Sequence, residues 1–292
     1  MRSGETEADP AAARSGVLLA LAAVFAFSTS PVLVLWATPL TAYQVTFVRL
    51  AVATAVVVVL GRLSRQPLLP ARSDWGRFVL FGLVTSVHFF SYIASLTFTT
   101  IAHSLAIVYT APIFVTLFSS WFLKEPVQWR KWLGIIVAVA GIGVLAGFEP
   151  RLDRRMLIGD GLALVSAITF GLYSVAGRSQ RDRYGLFTYA GTVYGLAALW
   201  AAPLAALNLN LSGVTFRSVL AAFGAGLIPL GTGHTLYNAA LRRTHATVVN
   251  LIATQEVTGG VLLGLLLVGQ IPQVNEIVGI VITLLGIAMV LI

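Results

Sequence analysis

The sequence predicts an all-α membrane protein in which ten transmembrane helices form two inverted five-helix repeats around a central cavity. Three observations support this fold class. Only 10% of the 292 residues are charged and 58% are hydrophobic, whereas a soluble domain carries about 25% charged residues. Ten apolar stretches have lengths close to the roughly 20 residues that a bilayer-spanning helix needs. The second half of the chain also repeats residues of the first half at a constant offset of 145 positions.

The composition excludes several classes of function. The chain has no cysteine, which excludes disulfides, thiol chemistry and cysteine-ligated zinc, and we expect no cofactor and no metal site. The net charge of +8 would favour nucleic-acid binding in a soluble protein. Here the cations lie in short gaps between apolar runs, so they indicate membrane topology instead. The sequence has no GxxxxGK[ST] loop for ATP and no GxSxG, HExxH or GxGD motif, so we do not expect an enzyme.

Three stretches carry the internal repeat. The matching residues are Gly16, Ala22 and Phe25 with Gly161, Ala167 and Phe170; Tyr92, Ala94 and Leu96 with Tyr237, Ala239 and Leu241; and Gly134 and Gly141 with Gly279 and Gly286. Because each copy holds five spans, the second copy enters the membrane in the opposite sense to the first. Inverted repeats around a site at the midplane are typical of secondary transporters.

The spans follow one another with short loops. We predict helices over residues 16–36, 41–60, 76–97, 101–122, 132–148, 156–177, 187–206, 217–239, 246–268 and 275–292. Residues 1–15 are expected to form a cytoplasmic tail, residues 16–149 the first repeat and residues 156–292 the second. The first apolar run is longer than the apolar region of a signal peptide, so we interpret it as an uncleaved helix.

The distribution of cations predicts the orientation. If both termini are cytoplasmic, the inner loops hold 14 Lys and Arg residues, and the outer loops hold four, Arg151, Arg154, Arg155 and Arg217. Cytoplasmic loops of membrane proteins carry such an excess of cations. We therefore expect a multi-pass protein of a bacterial-type inner membrane with both termini in the cytoplasm.

Two charged residues lie deep inside predicted spans, where a charge costs from a few to more than about ten kcal/mol. Arg49 lies within the second span, and Glu256 lies near the middle of the ninth. In a functional role, Arg49 would attract a carboxylate, while Glu256 would contact an amine or carry a proton. Alternatively, each charge pairs with neighbouring groups and only fixes helix packing, and we favour this alternative for Arg49.

Aromatic and polar side chains cluster within the third and eighth spans. His88 is followed one turn later by Tyr92, so both face the same way, and His234, Tyr237 and Asn238 lie near the corresponding place of the second copy. These side chains either line a cavity, where they would stack on a substrate ring and hydrogen-bond its polar groups, or form hydrogen bonds with one another between helices. We favour the cavity interpretation for Tyr92 and Tyr237 and leave both interpretations open for His88 and His234.

Prolines and glycines mark further features of the spans. Pro31, Pro112 and Pro229 each remove a backbone hydrogen bond inside a span, which is tolerated beside a cavity. The glycine-rich span ends, such as 141–147 and 259–264, let helices approach closely and are interpreted mainly as packing sites.

These residues together resemble the EamA-type family of the drug/metabolite transporter superfamily, from about residue 16 to the end of the chain. The shared patterns are a Gly-x5-Ala-x2-Phe opening, an Arg in the second span, a Pro-centred fourth span, and an acidic-Pro turn before a Gly-rich fifth span. Here they read Gly16, Ala22 and Phe25; Arg49; Tyr109-Thr110-Ala111-Pro112; and Lys124-Glu125-Pro126 with Gly134 and Gly141. In the second copy Glu256-Val257 stands where the family often shows Glu-Pro, and Gln270 replaces the acid of Glu125.

Within that superfamily the chain is similar to bacterial exporters of aromatic and other amino acids. The resemblance implies a central cavity that opens alternately to the two sides, a small metabolite as substrate and the lipid bilayer as surroundings. The candidate substrate-binding residues on the implied cavity-lining spans are Phe25, Ser28, His88, Tyr92, Tyr109, Phe170, Tyr173, His234, Tyr237, Asn238, Gln255 and Glu256. Glu256 and His88 are the candidates for carrying a coupled ion or proton.

A cavity of rings, amides and hydroxyls with few fixed charges favours neutral, zwitterionic or aromatic solutes. Nucleotides and sugar phosphates would need several cations facing the cavity. The leading hypothesis is therefore a carrier that exports amino acids or similar metabolites. The alternatives are an exporter of drugs or quaternary ammonium compounds with Glu256 as the cation partner and, in other classes, an intramembrane enzyme or a non-transporting receptor.

Overall fold

The structure, a computed structural model, describes residues 10–98, 101–147, 154–268, 271 and 273–291. All regular secondary structure within these ranges is helical, as predicted. The first repeat contains α1 (Pro10–Phe27 and Ser30–Trp36), α2 (Ala42–Leu63), α3 (Trp75–Phe98), α4 (Ile101–Val108, Ala111–Phe118 and Ser119–Leu123) and α5 (Trp129–Ala146). The second repeat contains α6 (Arg154–Ser179), α7 (Leu186–Leu207), α8 (Phe216–Ala225, Gly226–His234 and Thr235–Leu241), α9 (Ala246–Ala253, Glu256–Leu263 and Gly264–Val268) and α10 (Val274–Leu291).

The observed bounds agree closely with the predicted ones, apart from the start of α1. This helix begins at Pro10 instead of residue 16. Proline is favoured in the first helical turn because its missing N–H would have no partner there, and the Ala-Ala-Ala-Arg run that follows has high helix propensity. Residues 10–15 therefore extend the first helix. Residues 1–9 of the predicted tail, and Gln270, lie outside the described residues.

Eight helices of the described chain, α1–α4 and α6–α9, are long and apolar enough to cross a membrane. Large apolar side chains point outward along the bundle, among them Leu207 and Phe216, each 83% exposed, and Leu199, 68% exposed. Monomeric soluble proteins rarely expose so much contiguous apolar surface to water, whereas lipid solvates it. The chain is therefore a multi-pass membrane protein.

Contacts between a helix of one repeat and a helix of the other recur when the two repeats are exchanged. Helix α3 packs on α6 as α8 packs on α1, and α4 packs on α6 as α9 packs on α1. Helix α3 also packs on α7 as α8 packs on α2, while the pairs α2–α7 and α5–α10 each join equivalent helices. Contacts that recur with the two copies exchanged indicate an approximate twofold axis. This axis passes between α2 and α7 and between α5 and α10.

The contact between α5 and α10 is a seam of small residues, and the sequence predicts close packing for residues 141–147 of it. Gly141 lies against the backbone carbonyl of Gly279, and Gly286 lies against that of Gly134. A Cβ atom on Gly286 would lie 2.3 Å from the backbone nitrogen of Ala138, far inside van der Waals contact. The two helices can therefore approach this closely only because these positions lack side chains.

Helices α4 and α9 are interrupted at equivalent positions. The turn at residues 109–110 precedes Pro112, which lacks the N–H that would continue the helix. The turn at residues 254–255 forms without proline. The Thr254 hydroxyl donates to the carbonyl of Leu251 at 2.7 Å, a local bond that competes with the helical pattern. The interruption of α9 therefore does not need the Glu-Pro pair that the family often shows.

The loops gather at the two ends of the bundle. One of these, which we call the basic end, holds the loops after α2, α4, α6 and α8, with Arg62, Arg65, Lys124, Arg181, Arg183, Arg242 and Arg243. There the Tyr184 hydroxyl donates to Asp74, which joins the α6–α7 loop to the start of α3. At the opposite end the Gln44 amide donates to the carbonyl of Asn210 at 3.0 Å. Loops that the sequence places on one side of the membrane thus contact one another.

Candidate functional site

A narrow cavity lies at the centre of the bundle, where the two repeats meet. Its volume open to water is about 30 Å³, room for only a few water molecules. It is lined by Phe27, Ser30, Arg49, His88, Phe89, Tyr92, Val108, Tyr109, Phe170, Pro229, His234, Ala253 and Glu256. These residues come from α1, α2, α3, α4, α6, α8 and α9, so both repeats build the cavity.

Half of the predicted site residues line this cavity, namely His88, Tyr92, Tyr109, Phe170, His234 and Glu256. His88 and Tyr92 lie one turn apart on α3, as their spacing predicts. The interruptions of α4 and α9 place Tyr109 and Glu256 at helix breaks beside the cavity, and the Tyr109 hydroxyl lies near the Glu256 carboxylate.

Three further predicted residues form a hydrogen-bonded layer beside the cavity. The Asn238 amide donates to the hydroxyls of Tyr173 and Tyr194 at 2.5 and 3.1 Å. The Tyr237 hydroxyl lies 2.6 Å from that of Ser174. Helices α6 and α8 both continue from this layer to the basic end, so the layer closes the side of the cavity that faces that end.

The remaining three predicted residues do not line the cavity. Phe25 points out of the bundle and is 79% exposed, which corrects its assignment to the cavity. Phe27, two residues later and therefore on the opposite face of α1, takes the inward position. The Ser28 hydroxyl donates to a backbone carbonyl of its own helix at 2.8 Å, and the Gln255 side chain accepts from Thr258 at 2.9 Å.

Aromatic rings form much of the cavity wall. His88 stacks on Phe170 with ring centroids 4.7 Å apart, while His234 contacts Phe27 at 4.5 Å and Phe89 at 4.9 Å. Tilted, offset and edge-to-face arrangements such as these are the favourable ones for aromatic pairs. The wall therefore offers both ring faces and ring edges to a planar ligand.

The orientation of the His88 ring is set by α6. Its Nδ1 lies 3.0 Å from the backbone carbonyl oxygen of Ser166. The Ser166 hydroxyl lies 3.0 Å from the same nitrogen, so Nδ1 either donates to the carbonyl or accepts from the hydroxyl, depending on the tautomer. When Nδ1 carries the proton, a neutral His88 ring keeps Nε2 as an acceptor for a donor group of a ligand.

Arg49 and Glu256 are the two charged residues among those that line the cavity, and they interact only from a distance. Arg49 is 2% exposed, its guanidinium lies 5.6 Å from the centre of the Phe89 ring, and its Nε and Nη1 have no hydrogen-bond partner. Within the described ranges no ion pair joins Arg49 to Glu256. A buried charge with unsatisfied donors is costly. A packing role for Arg49 would require partners for Nε and Nη1, and neither nitrogen has one.

These charges also depart from the internal symmetry. The residues equivalent to Arg49 and Glu256 in the other repeat are Tyr194 and Ala111. By contrast, Phe89 and His234 are equivalent and both line the cavity. One pair of rings in the wall therefore follows the duplication, whereas unmatched positions supply the two charges.

The predicted site residues did not include seven residues that also line the cavity, namely Phe27, Ser30, Arg49, Phe89, Val108, Pro229 and Ala253. A signal existed for Phe89, because it is the counterpart of His234. Helical periodicity places Phe27 inward once Phe25 is known to face lipid. The sequence alone does not show which face of an apolar helix points inward, because no polar residue marks one face.

Comparison with known proteins identifies the family. Both halves of the chain, residues 14–147 and 157–292, match the EamA-like transporter family. The pseudopaline exporter CntI of Pseudomonas aeruginosa strain UCBPP-PA14 is 29% identical over 248 residues, which cover 81% of each chain. An uncharacterized transporter of Clostridium kluyveri is 25% identical over 223 residues, which cover 73% of this chain and 71% of the relative.

A solved crystal structure shares the fold, with a TM-score of 0.80 at 20% identity over 94% of this chain and 96% of the other. The family match in both halves confirms the duplication and the resemblance seen in the sequence. The names of the relatives indicate a transporter and not an enzyme. The chain belongs to the EamA-like transporter family.

Proposed function

We propose that the protein is a secondary transporter that exports amino acids, aromatic ones among them, from the cytoplasm by alternating access. The observation that carries this proposal is the presence of Arg49 and Glu256, unpaired with each other, in one cavity. An amino acid is a zwitterion, so its carboxylate would bind the Arg49 guanidinium and its ammonium the Glu256 carboxylate. The two Arg49 nitrogens that have no hydrogen-bond partner would then gain one, and the Glu256 carboxylate would gain a positive charge beside it.

The walls of the cavity support the aromatic part of this proposal. A ring of the substrate would pack among Phe27, Phe89, Phe170 and His88, and an indole N–H would find an acceptor in Nε2 of His88. A nucleotide or sugar phosphate fits poorly, because Arg49 is the one Arg or Lys among the lining residues.

The proposed topology has ten spans, in which α5 and α10 are the fifth spans of two inverted repeats. The exchanged contacts between the repeats and the α5–α10 seam support this arrangement. We assign the basic end to the cytoplasm, because cytoplasmic loops carry the excess of cations. The start of α1 lies against that end, where Gly16 contacts Thr244, so both termini are proposed to be cytoplasmic in a bacterial-type inner membrane.

A second candidate is an exporter of drugs or quaternary ammonium compounds. Glu256 beside aromatic rings is a favourable arrangement for an organic cation. One relative is named for the export of pseudopaline, which extends the candidate substrates to other small metabolites.

Liposomes that contain the purified protein test these candidates through the flux of labelled tryptophan, labelled threonine and a quaternary ammonium dye. We expect tryptophan flux well above that of empty liposomes, with slower threonine flux because threonine has no ring to pack on the wall. Flux of the dye without flux of either amino acid would favour the second candidate. No flux of any of the three would contradict both candidates.

We also propose that Glu256 carries the coupled proton, with His88 as the second candidate. A substrate ammonium and a proton compete for one carboxylate, so a single group would exchange them across the membrane. In the Glu256→Gln variant we expect accumulation driven by a pH gradient to disappear, while counterflow, which needs no net proton movement, persists at a reduced rate. Glu276→Gln, which removes a carboxylate outside the cavity, is the matched control. Undiminished pH-driven accumulation in Glu256→Gln would assign the proton to another group.

A further inference from the structure

A charged cluster joins the two repeats at the basic end, outside the central cavity. Glu125, directly after α4, accepts hydrogen bonds from Nε of Arg178 at 2.7 and 2.8 Å, and Nη2 of Arg178 lies 2.7 Å from the same carboxylate. Nη1 of Arg178 donates to the carbonyls of Leu241 and Thr244, at 2.9 and 2.6 Å, where α8 ends. One guanidinium thus ties the end of α4 to the ends of α6 and α8.

Two further groups face Glu125. Nδ1 of His245, in the α8–α9 loop, lies 3.2 Å from the carboxylate, and Nη1 of Arg181 lies 3.9 Å from it. Burial alone would raise the pKa of the Glu125 carboxyl, but His245 and Arg178 hold that pKa below its ordinary value. The carboxylate is therefore ionised at neutral pH. The side chains of Glu125 and Arg178 are 16% and 8% exposed, so water can solvate both once they separate.

Between this cluster and the cavity, helices of the two repeats are in contact. Thr116 of α4 donates to Thr247 of α9 at 3.3 Å, and both side chains are buried. Asn250 of α9 donates to the Tyr237 hydroxyl of α8 at 3.1 Å. A path from the basic end to the cavity would run between α4, α6, α8 and α9, and these contacts close it.

The opposite end cannot form the same cluster. The residues equivalent to Glu125, Arg178 and His245 in the other repeat are Gln270, Leu33 and Thr100. None of these three carries a charge. An ionic connection between the repeats is therefore built into one end of the duplicated scaffold.

We propose that Glu125 and Arg178 form an ionic latch that holds the basic end of the cavity shut and must break before that end opens. The proposal rests on the alternating access proposed above, but it concerns the closure of one end and not the identity of the substrate. Neutralising Glu125 removes the ionic contact and leaves the Arg178 bonds to α8 in place, so the end should open more often.

Cysteine labelling tests the latch without any substrate. The chain has no cysteine, so a Thr247→Cys substitution supplies a single thiol beneath the latch. We expect a water-soluble maleimide to label this site slowly in the otherwise native protein. Adding Glu125→Gln should raise the labelling rate roughly tenfold, the size expected from the loss of one charge-assisted hydrogen-bonded pair. An unchanged rate would overturn the proposal.

Two controls separate opening of the latch from general loosening. Asp182→Asn removes an exposed carboxylate at the same end that pairs with Arg181 at 3.4 Å and acts on Arg178 only from a greater distance, so it should change the rate far less than Glu125→Gln. A Ser95→Cys site, buried in α3 toward the opposite end, should also label at an unchanged rate when Glu125→Gln is added. An equal increase at both cysteine sites would contradict the latch, because it would mean that the whole bundle has loosened.

A second measurement decides the question if Glu125→Gln does not fold. Thr116→Cys and Thr247→Cys together allow oxidative cross-linking of α4 to α9 with Glu125 and Arg178 intact. We expect the cross-link to abolish maleimide access to an added Ser174→Cys site, and a reductant to restore access to it. Equal access before and after cross-linking would overturn the proposal, whether or not amino-acid flux is ever detected.

Discussion

Replacing Arg49 with glutamine is expected to lower tryptophan flux about a hundredfold. The Arg49 guanidinium is buried, two of its nitrogens are unpartnered, and it is the one Arg or Lys that lines the cavity. Removing one member of a buried, hydrogen-bonded charge pair costs about 2–5 kcal/mol, and about 1.4 kcal/mol corresponds to a tenfold change. Initial rates of labelled tryptophan uptake into liposomes measure the effect.

Two comparisons show whether the loss reflects recognition of a carboxylate. Arg217→Gln removes an exposed arginine that lies over Trp36 and should leave flux unchanged. Arg49→Lys keeps the positive charge without the planar fork, so we expect intermediate flux. If Arg49→Gln has native flux, with protein yield and folding unchanged, Arg49 has only a packing role.

Replacing Gly286 with alanine is expected to destabilise the protein by roughly 3 kcal/mol, near the upper end of the cost of overfilling a packed contact. The new Cβ would lie 2.3 Å from the backbone nitrogen of Ala138 and 2.6 Å from the carbonyl oxygen of Gly134. Both are backbone atoms, so relief requires α5 and α10 to move apart. The apparent melting temperature in detergent and the yield of monodisperse protein measure the effect.

Gly143→Ala is the matched control for this seam. Gly143 lies on α5, but a Cβ there would have no neighbour within 4 Å. Alanine favours a helix over glycine by about 1 kcal/mol, so we expect no loss of stability and a modest gain. If both variants melt at the same temperature, α5 and α10 do not pack as closely as described.

The sequence predicted the scaffold well because membrane helices leave a strong signal. A bilayer demands long apolar runs, and duplication leaves matching residues such as Gly141 and Gly286 at a constant offset. The first and last residues of the helices were harder to predict, as the early start of α1 at Pro10 shows. Apolar residues mark the part of a helix inside the membrane but not the turns that continue beyond it.

The site was only partly predictable, for a related physical reason. In a span that is apolar on all sides, hydrophobicity does not reveal which face points inward. Phe25 and Phe27 look alike in the sequence, yet one is 79% exposed and the other 2%. Polar residues such as His88 and Glu256 were found because lipid does not tolerate them. The binding role proposed for Arg49 rests on the absence of partners for two of its nitrogens, which only the three-dimensional arrangement reveals.

The most direct test of the central claim is a single comparison of flux in liposomes that contain the native protein. Tryptophan, tryptamine and indole-3-propionate share one ring system, but only tryptophan carries both the ammonium and the carboxylate. If Arg49 and Glu256 together recognise a zwitterion, tryptophan should be transported and each analogue should move at least about tenfold more slowly, since one buried charge would lack its partner. Equal flux of tryptophan and either analogue would contradict the claim.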